Sequence, residues 1–106
     1  MSRRKPTIDA LEIIKRRFYD GQPERIAELE EARANDAVAR TIRELRQKAG
    51  LTQGQLGKLI GTTASVISRL EDADYGGHSL AMLNRIAAAL DRRVEIRFLP
   101  LTVRHA

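Results

Sequence analysis

The stretch that decides the fold is QGQLGKLIGTTASVISRLED, residues 53–72. Its apolar residues recur at helical spacing in two short segments, one around Leu56 and Ile60 and the other around Ile67. Gly61 stands between them, where a chain that ends one helix and reverses direction favours glycine. The pattern predicts two short helices joined by a tight turn, which is a helix-turn-helix.

Polar residues mark where the predicted helices begin. Thr52 stands before the first segment and Gln55 follows three residues later, which is the spacing of a capping box. Thr62 is predicted to cap the second segment, and Ser79 to cap a later helix. That later helix has a continuous apolar face made of Leu80, Leu83, Ile86, Ala87 and Leu90.

The sequence before residue 53 predicts further helices. Residues 7–19 have apolar side chains at three- and four-residue steps. After Pro23 a second helical stripe continues to Lys48. We expect one long or kinked helix here, with a break at Asn35 and Asp36 as the alternative, and a module of five or six helices in all.

The end of the chain changes its period. Val94, Ile96 and Phe98 alternate with charged residues, which is the spacing of a strand. A strand needs a partner for its backbone groups, and the sequence has no other convincing strand. We therefore predict that two copies of this strand pair across a homodimer, with a frayed tail as the alternative.

Composition limits the class of protein. The 106 residues suffice for one compact domain with modest appendages, and 42% of them are hydrophobic. The formal charge of +5 suits a polyanionic partner, although solubility alone explains such an excess in many small domains. The lack of cysteine excludes disulfides and thiolate metal sites. No stretch reads as a signal peptide or a membrane span, so we expect a soluble, cytoplasmic protein.

The stretch IRELRQKAGLTQGQLGKLIGTTASVISRLE resembles the XRE or Cro/repressor family of helix-turn-helix proteins. The resemblance covers about residues 41–91 and implies a mainly α fold, a lambda-repressor-like bundle. It divides the chain into an N-terminal helical extension (1–36), a DNA-binding domain (37–92) and a C-terminal strand and tail (93–106). Gly57 departs from the family, which usually has alanine at this position.

In this family the second helix of the motif enters the DNA major groove. The resemblance implies that the base-reading side chains are those at the start and on the outer face of that helix: Thr63, Ala64, Ser65, Ser68 and Arg69. Most of them are short. Arg69 could make a bidentate pair with guanine or could instead grip a phosphate.

Other residues receive supporting roles by the same resemblance. Thr52 and Gln53, at a helix N-terminus, are placed to hold a backbone phosphate with help from Lys58. Thr62 belongs to the same expected DNA surface. The family commonly pairs an arginine and a glutamate at Arg46 and Glu71, an ion pair to which we assign an architectural role.

The long N-terminal helices, the loop DADYGGHSL and the strand VEIRFLP look like the antitoxin branch of the family, the HigA-type proteins. Such antitoxins bind their own operator and neutralise a small RNA-cleaving toxin. Residues 7–36 are the candidate toxin-binding segment, and packing of these helices on the motif or the dimer mate is the alternative.

Enzymatic functions find no support in the sequence. His78 and His105 are far apart, and no phosphate-binding loop, nucleophile arrangement or metal-ligand spacing is present, so we expect neither a cofactor nor a metal. The leading hypothesis is a dimeric repressor of double-stranded operator DNA, acting as the antitoxin and autorepressor of a toxin-antitoxin operon. The alternatives are a stand-alone XRE-type transcriptional regulator of phage or chromosomal origin, and a protein-interaction module that no longer binds DNA.

Overall fold

The computed structural model describes residues 23–101, together with residues 10 and 12. In residues 23–101 there are four helices: α1 (Pro23–Lys48), α2 (Gln53–Ile60), α3 (Ala64–Leu70) and α4 (Leu80–Ala89). The expected mainly α fold and the helix-turn-helix, formed by α2 and α3, are confirmed. Residues 10 and 12 are helical, and the rest of the helix predicted at residues 7–19 lies outside the described residues.

Helix α1 is continuous through Asn35 and Asp36, so the prediction of one long helix is confirmed. Both polar residues make contacts that are compatible with the helix. Asp36 accepts a hydrogen bond from Arg40 one turn later, and Asn35 lies beside Gly76 in the loop before α4. The first half of α1, residues 24–34, is almost entirely exposed, and we call it the arm. Leu29 is 64% exposed, so the apolar stripe expected there is not buried by the described residues.

The core lies where the four helices meet. Leu56 of α2 and Ile67 of α3 are fully buried. The buried cluster is completed by side chains from all four helices: Ile42, Ile60, Leu70 and Ile86. This apolar contact fixes α3 against α2, because each short helix has only one apolar face to bury.

The helix boundaries follow local capping, with one correction. Thr52 and Gln55 form the predicted capping box of α2, and the Ser79 hydroxyl accepts a hydrogen bond from Met82 N, capping α4. The cap of α3 is Thr63, not Thr62: its hydroxyl accepts from Val66 N at 3.2 Å. Thr62 is not available, since its own N–H donates to the carbonyl of Gly57 at 2.7 Å and closes the preceding helix.

Two glycines of the motif are required by the backbone. Gly61 has φ +78°, in the left-handed region that reverses the chain after α2. At Gly57 a Cβ would lie 2.8 Å from the carbonyl carbon of Thr63, so α2 and α3 approach more closely than alanine allows. The departure from the family pattern is therefore tied to the closeness of this turn.

Residues 92–101, which we call the tail, contain no regular secondary structure. Leu90 and Asp91 end α4, with Asp91 at φ +60° and Arg92 N donating to Ala87 O at 2.7 Å. The strand expected at Val94, Ile96 and Phe98 is not formed in the single chain, because residues 23–101 offer it no neighbouring strand. Within that range no helix combines the length and apolarity needed to cross a membrane.

The close approach at Gly57 gives a first prediction. Gly57→Ala should lower the free energy of unfolding by about 1–3 kcal/mol, because the new methyl group overlaps the Thr63 backbone. Gly54→Ala in the same helix is the matched control. Its Cβ would meet ordinary contacts at 3.9 Å, so it should raise stability by roughly 0.5–1 kcal/mol through helix propensity. Denaturant unfolding measures both, and equal stabilisation would show that α2 and α3 separate without cost.

Candidate nucleic-acid interface

The interface is organised around the carboxylate of Glu71, which is the residue that ends α3. Its side chain is only 1% exposed. Arg46 of α1 donates to both oxygens, from Nε to Oε2 at 2.6 Å and from Nη2 to Oε1 at 3.0 Å. The remaining nitrogen of Arg46, Nη1, donates to the carbonyl of Leu51 at 2.8 Å. The structure thus contains the expected ion pair, and the pair also holds the turn between α1 and α2.

Arg46 remains a cation in this setting. Its hydrogen bond to Glu71 raises its pKa, and the nearby negative charge acts in the same direction, whereas partial burial acts in the opposite one. The two charges therefore form a neutral, bidentate unit beneath α3. Such a unit fixes the orientation of α3 relative to α1, because separating the two charges would leave each of them buried and unpaired.

Gln53 takes part in the same network, which differs from its expected role. Its Nε2 donates to Glu71 Oε1 at 3.1 Å, and the side chain is half-buried. In the chain without DNA, Gln53 therefore links the start of α2 to the end of α3. A phosphate contact from this amide would use its second N–H, because the amide oxygen and the phosphate oxygens are both acceptors.

Arg43 is a residue that the sequence reasoning did not select. Its Nε lies 3.9 Å from Glu71 Oε1 while its side chain is 58% exposed. Together with Arg40 it lines a polar depression that also includes Gln53 and Ser68. The available signal was the spacing of Arg40, Arg43 and Arg46, which places three cations along one side of α1.

The expected base-reading side chains share one exposed surface. Thr63, Ala64, Ser65, Ser68 and Arg69 are all exposed. A shallow depression is lined by the last four of them together with Gln53 and Asp72. Because this depression shares Gln53, Ser68 and Asp72 with the one beside Arg43, the two form a continuous surface from α3 across to α1.

The other predicted contact residues lie around this surface. Thr52 is exposed, but its hydroxyl is engaged as the cap of α2. Lys58 is exposed, and with Leu51, Gln55 and Leu59 it lines a separate apolar depression on α2. Thr62 is half-buried in the turn. The structure does not bring Lys58 into the depressions formed around Gln53.

His78, in the loop before α4, contacts both the end of α3 and Tyr75. Its Nε2 lies 2.8 Å from the carbonyl of Leu70, at the end of α3, and a carbonyl oxygen can only accept, so Nε2 is the donor of this hydrogen bond. Its other nitrogen, Nδ1, is buried and has no hydrogen-bond partner among the described residues. Tyr75 packs edge-on against the ring at 5.3 Å. His78 therefore connects the loop before α4 to the end of α3.

A short α-helix that packs on the preceding helix across a tight turn, with small polar side chains outward, is the arrangement of a helix-turn-helix domain. Residues 37–96, more than half the chain, match the family model of the helix-turn-helix domain, and the chain belongs to that family. It is also similar to a protein of Methanothermobacter thermautotrophicus described as an uncharacterized HTH-type transcriptional regulator. The two are 45% identical over 51 residues, which are 48% of this chain and 72% of that protein.

The buried pair gives a second prediction. Glu71→Gln should lower the free energy of unfolding by about 3 kcal/mol, because it keeps the shape of the side chain but leaves Arg46 without a counter-charge. Glu30→Gln removes the same charge from an exposed pair with Arg33 at 3.8 Å and should change stability by less than about 0.5 kcal/mol. Thermal and denaturant unfolding compare the two. Equal small effects would show that Glu71 does not hold the helices together.

Proposed function

We propose that this protein is a sequence-specific DNA-binding repressor that acts as the antitoxin and autorepressor of a type II toxin-antitoxin operon. The observation that carries the DNA-binding part is the surface of α3, where Ala64, Ser65, Ser68 and Arg69 are exposed side by side. Membership of the helix-turn-helix family and similarity to a protein described as a transcriptional regulator support the same part.

The chemistry of this surface determines how it would read DNA. Ala64 and the methyl group of Thr63 suit the methyl group of thymine, and Ser65 and Ser68 suit several bases. Arg69 is the one long donor among the proposed readers, so it would supply most of the direct discrimination. The rest of the specificity would come from DNA shape and from the spacing of two half-sites in a dimer.

The arm supports the antitoxin part of the proposal. It is a helix segment that projects beyond the core, with Leu29 exposed among acidic residues such as Glu28 and Glu30. Residues 24–34 contain four glutamates against two arginines, and an exposed apolar side chain on such an acidic segment suits a partner with a basic surface, as expected of a small RNA-cleaving toxin. A stand-alone transcriptional regulator would need no such surface. Variants in the arm therefore distinguish an antitoxin from a stand-alone regulator.

Arg69→Ala tests the DNA contact. It should weaken binding to the DNA upstream of the protein's own reading frame by about tenfold or more, since a bidentate arginine contact is worth roughly 1–3 kcal/mol. Arg33→Ala removes the same charge from the arm, where the side chain is 78% exposed, and should leave affinity nearly unchanged. Fluorescence anisotropy measures both variants against this duplex and a scrambled one of equal length.

The scrambled duplex separates the two roles open to Arg69. If Arg69 reads a base, the loss falls on the specific duplex and the preference over the scrambled one shrinks. If Arg69 contacts a phosphate, the affinities for both duplexes fall, and the slope of log affinity against log salt concentration becomes shallower by about one. Absence of salt-dependent DNA binding in the unmodified protein would refute the DNA-binding function and favour an interaction module.

Leu29→Ser tests the antitoxin function. After co-expression with the product of the adjacent reading frame, this variant should lose most of the co-purifying partner while its DNA affinity stays unchanged. Leu59→Ser is the matched control, because Leu59 is 62% exposed on α2 and Leu29 is 64% exposed on the arm. If the unmodified chain retains no partner and does not suppress that product's toxicity, the protein is a stand-alone regulator.

A further inference from the structure

An apolar groove runs between α1 and α4 and ends at the start of the tail. Its volume is about 290 Å³, slightly below the roughly 300–1,000 Å³ of small-molecule pockets. The side chains that matter for its apolar character are Val38, Ile42 and Leu45 from α1, Leu83 and Ile86 from α4, and Val94 from the tail. The groove therefore has room for one large apolar side chain.

The tail that begins at this groove carries unpartnered apolar side chains. Phe98 is 96% exposed, Leu99 74% and Ile96 61%. In the described residues most of the strongly exposed large hydrophobic side chains lie in this short segment. A surface of this kind marks a contact with another chain, since water solvates it poorly.

The two sides of the tail are chemically distinct. Glu95 and Arg97 lie on one side, where Arg97 Nε donates to Glu95 Oε2 at 2.6 Å. Val94, Ile96 and Phe98 alternate with them and fall on the other side of an extended backbone. The tail thus has the side-chain alternation of a strand, and its apolar side meets the groove at Val94, while Arg92, Arg93 and Glu95 also line the groove.

We propose that the groove receives Phe98 of a second copy, in an antiparallel pair of tails whose two-fold axis passes through Ile96. The proposal deepens the dimer of the proposed function and rests on it. In this register Ile96 faces the partner's Ile96, Val94 faces the partner's Phe98, and Glu95 faces the partner's Arg97. Apolar residues meet apolar ones on one side, and opposite charges meet twice on the other.

Symmetric registers centred on Val94, Glu95 or Arg97 are worse by the same rule. Facing residues in a two-fold antiparallel pair share a side of the sheet, so the axis must pass through a residue. An axis at Glu95 sets two carboxylates against each other, and an axis at Arg97 sets two guanidinium groups against each other. An axis at Val94 leaves Phe98 beyond the paired segment, since it would face Leu90, in the turn that ends α4.

The charge pattern and the groove lead independently to the same contact. The register was selected by the charges and by the matching of apolar residues along the tail, and it places the partner's Phe98 beside Val94. Val94 is the tail residue that forms part of the apolar lining of the groove. A second copy therefore both completes the strand and fills the groove, which would bury the Phe98 side chain that is 96% exposed among the described residues of a single copy.

Cysteine substitutions map the register, because the natural chain contains no cysteine. Ile96→Cys should form a disulfide-linked dimer under mild oxidation, since directly facing residues have Cα atoms about 4.5–5.5 Å apart. Val94→Cys alone should not, because the two copies of residue 94 lie roughly 14 Å apart in this register. A mixture of Val94→Cys and Phe98→Cys should link. Leu59→Cys, at an exposure of 62% against 61% for Ile96, is the control that should form no disulfide-linked dimer.

Charge exchange tests the pairing across two chains. Glu95→Arg alone and Arg97→Glu alone should each weaken self-association, because each sets like charges against each other. Mixing these two variants should restore dimers, all of them mixed, because every facing pair is then of opposite charge. An ion pair confined to one chain would give no such preference. Native mass spectrometry counts the species.

Phe98→Ser tests the groove. It should weaken dimerisation by about 100-fold or more in analytical ultracentrifugation, because two buried aromatic side chains are lost per dimer. Circular dichroism should be unchanged, since Phe98 contributes nothing to the monomer core. Cross-linking through Val94→Cys alone, or an unchanged dimer in Phe98→Ser, would overturn the proposal.

The DNA-binding function can fail or survive separately. A monomer that binds the upstream duplex with salt-dependent affinity would overturn this dimer and leave DNA binding intact. A dimer that cross-links through Ile96→Cys but shows no salt-dependent DNA binding would support this interface and refute the proposed function.

Discussion

The carboxylate of Glu71 is the constraint on which the rest of the structure depends. Burying a charge of this kind costs several kcal/mol unless donors surround it, and here they come from two other helices. Arg46 supplies two hydrogen bonds from α1, and Gln53 supplies one from α2. The apolar contacts hold α3 against the core, and the buried carboxylate specifies its rotation and its end. The surface of Ala64, Ser65, Ser68 and Arg69 inherits its position from that contact.

Local signals in the sequence predicted what is decided locally. The capping box of Thr52 and Gln55, the cap at Ser79 and the turn at Gly61 were all predictable, because each depends on residues within one turn of helix. The cap of α3 was placed one residue too early. Two adjacent threonines have the same side chain, and the choice between them is made by the bond from Thr62 N to Gly57 O.

Contacts between distant residues were harder to predict. The family resemblance supplied the Arg46–Glu71 pair. The spacing on α1 places Arg43 on the same side as Arg46, but the approach of Arg43 and Gln53 to Glu71 could not be predicted from spacing, since these partners lie 18 or more residues apart. The conformation of the tail also depends on a contact that the sequence alone does not specify. Its alternation predicts a strand, and a single chain cannot form one without a neighbour.

The short side chains on α3 connect the DNA surface to the tail. Alanine and serine offer few strong contacts, and Arg69 is the one long donor beside them, so one copy would bind a half-site weakly. Linking two such domains makes the second contact intramolecular, and the gain depends on how rigidly the two are spaced. A groove and strand interface holds the spacing better than a flexible tail, because α1 both lines the groove and carries Arg46. In such a dimer the distance between the two recognition helices would be set by the same helix that fixes the orientation of each.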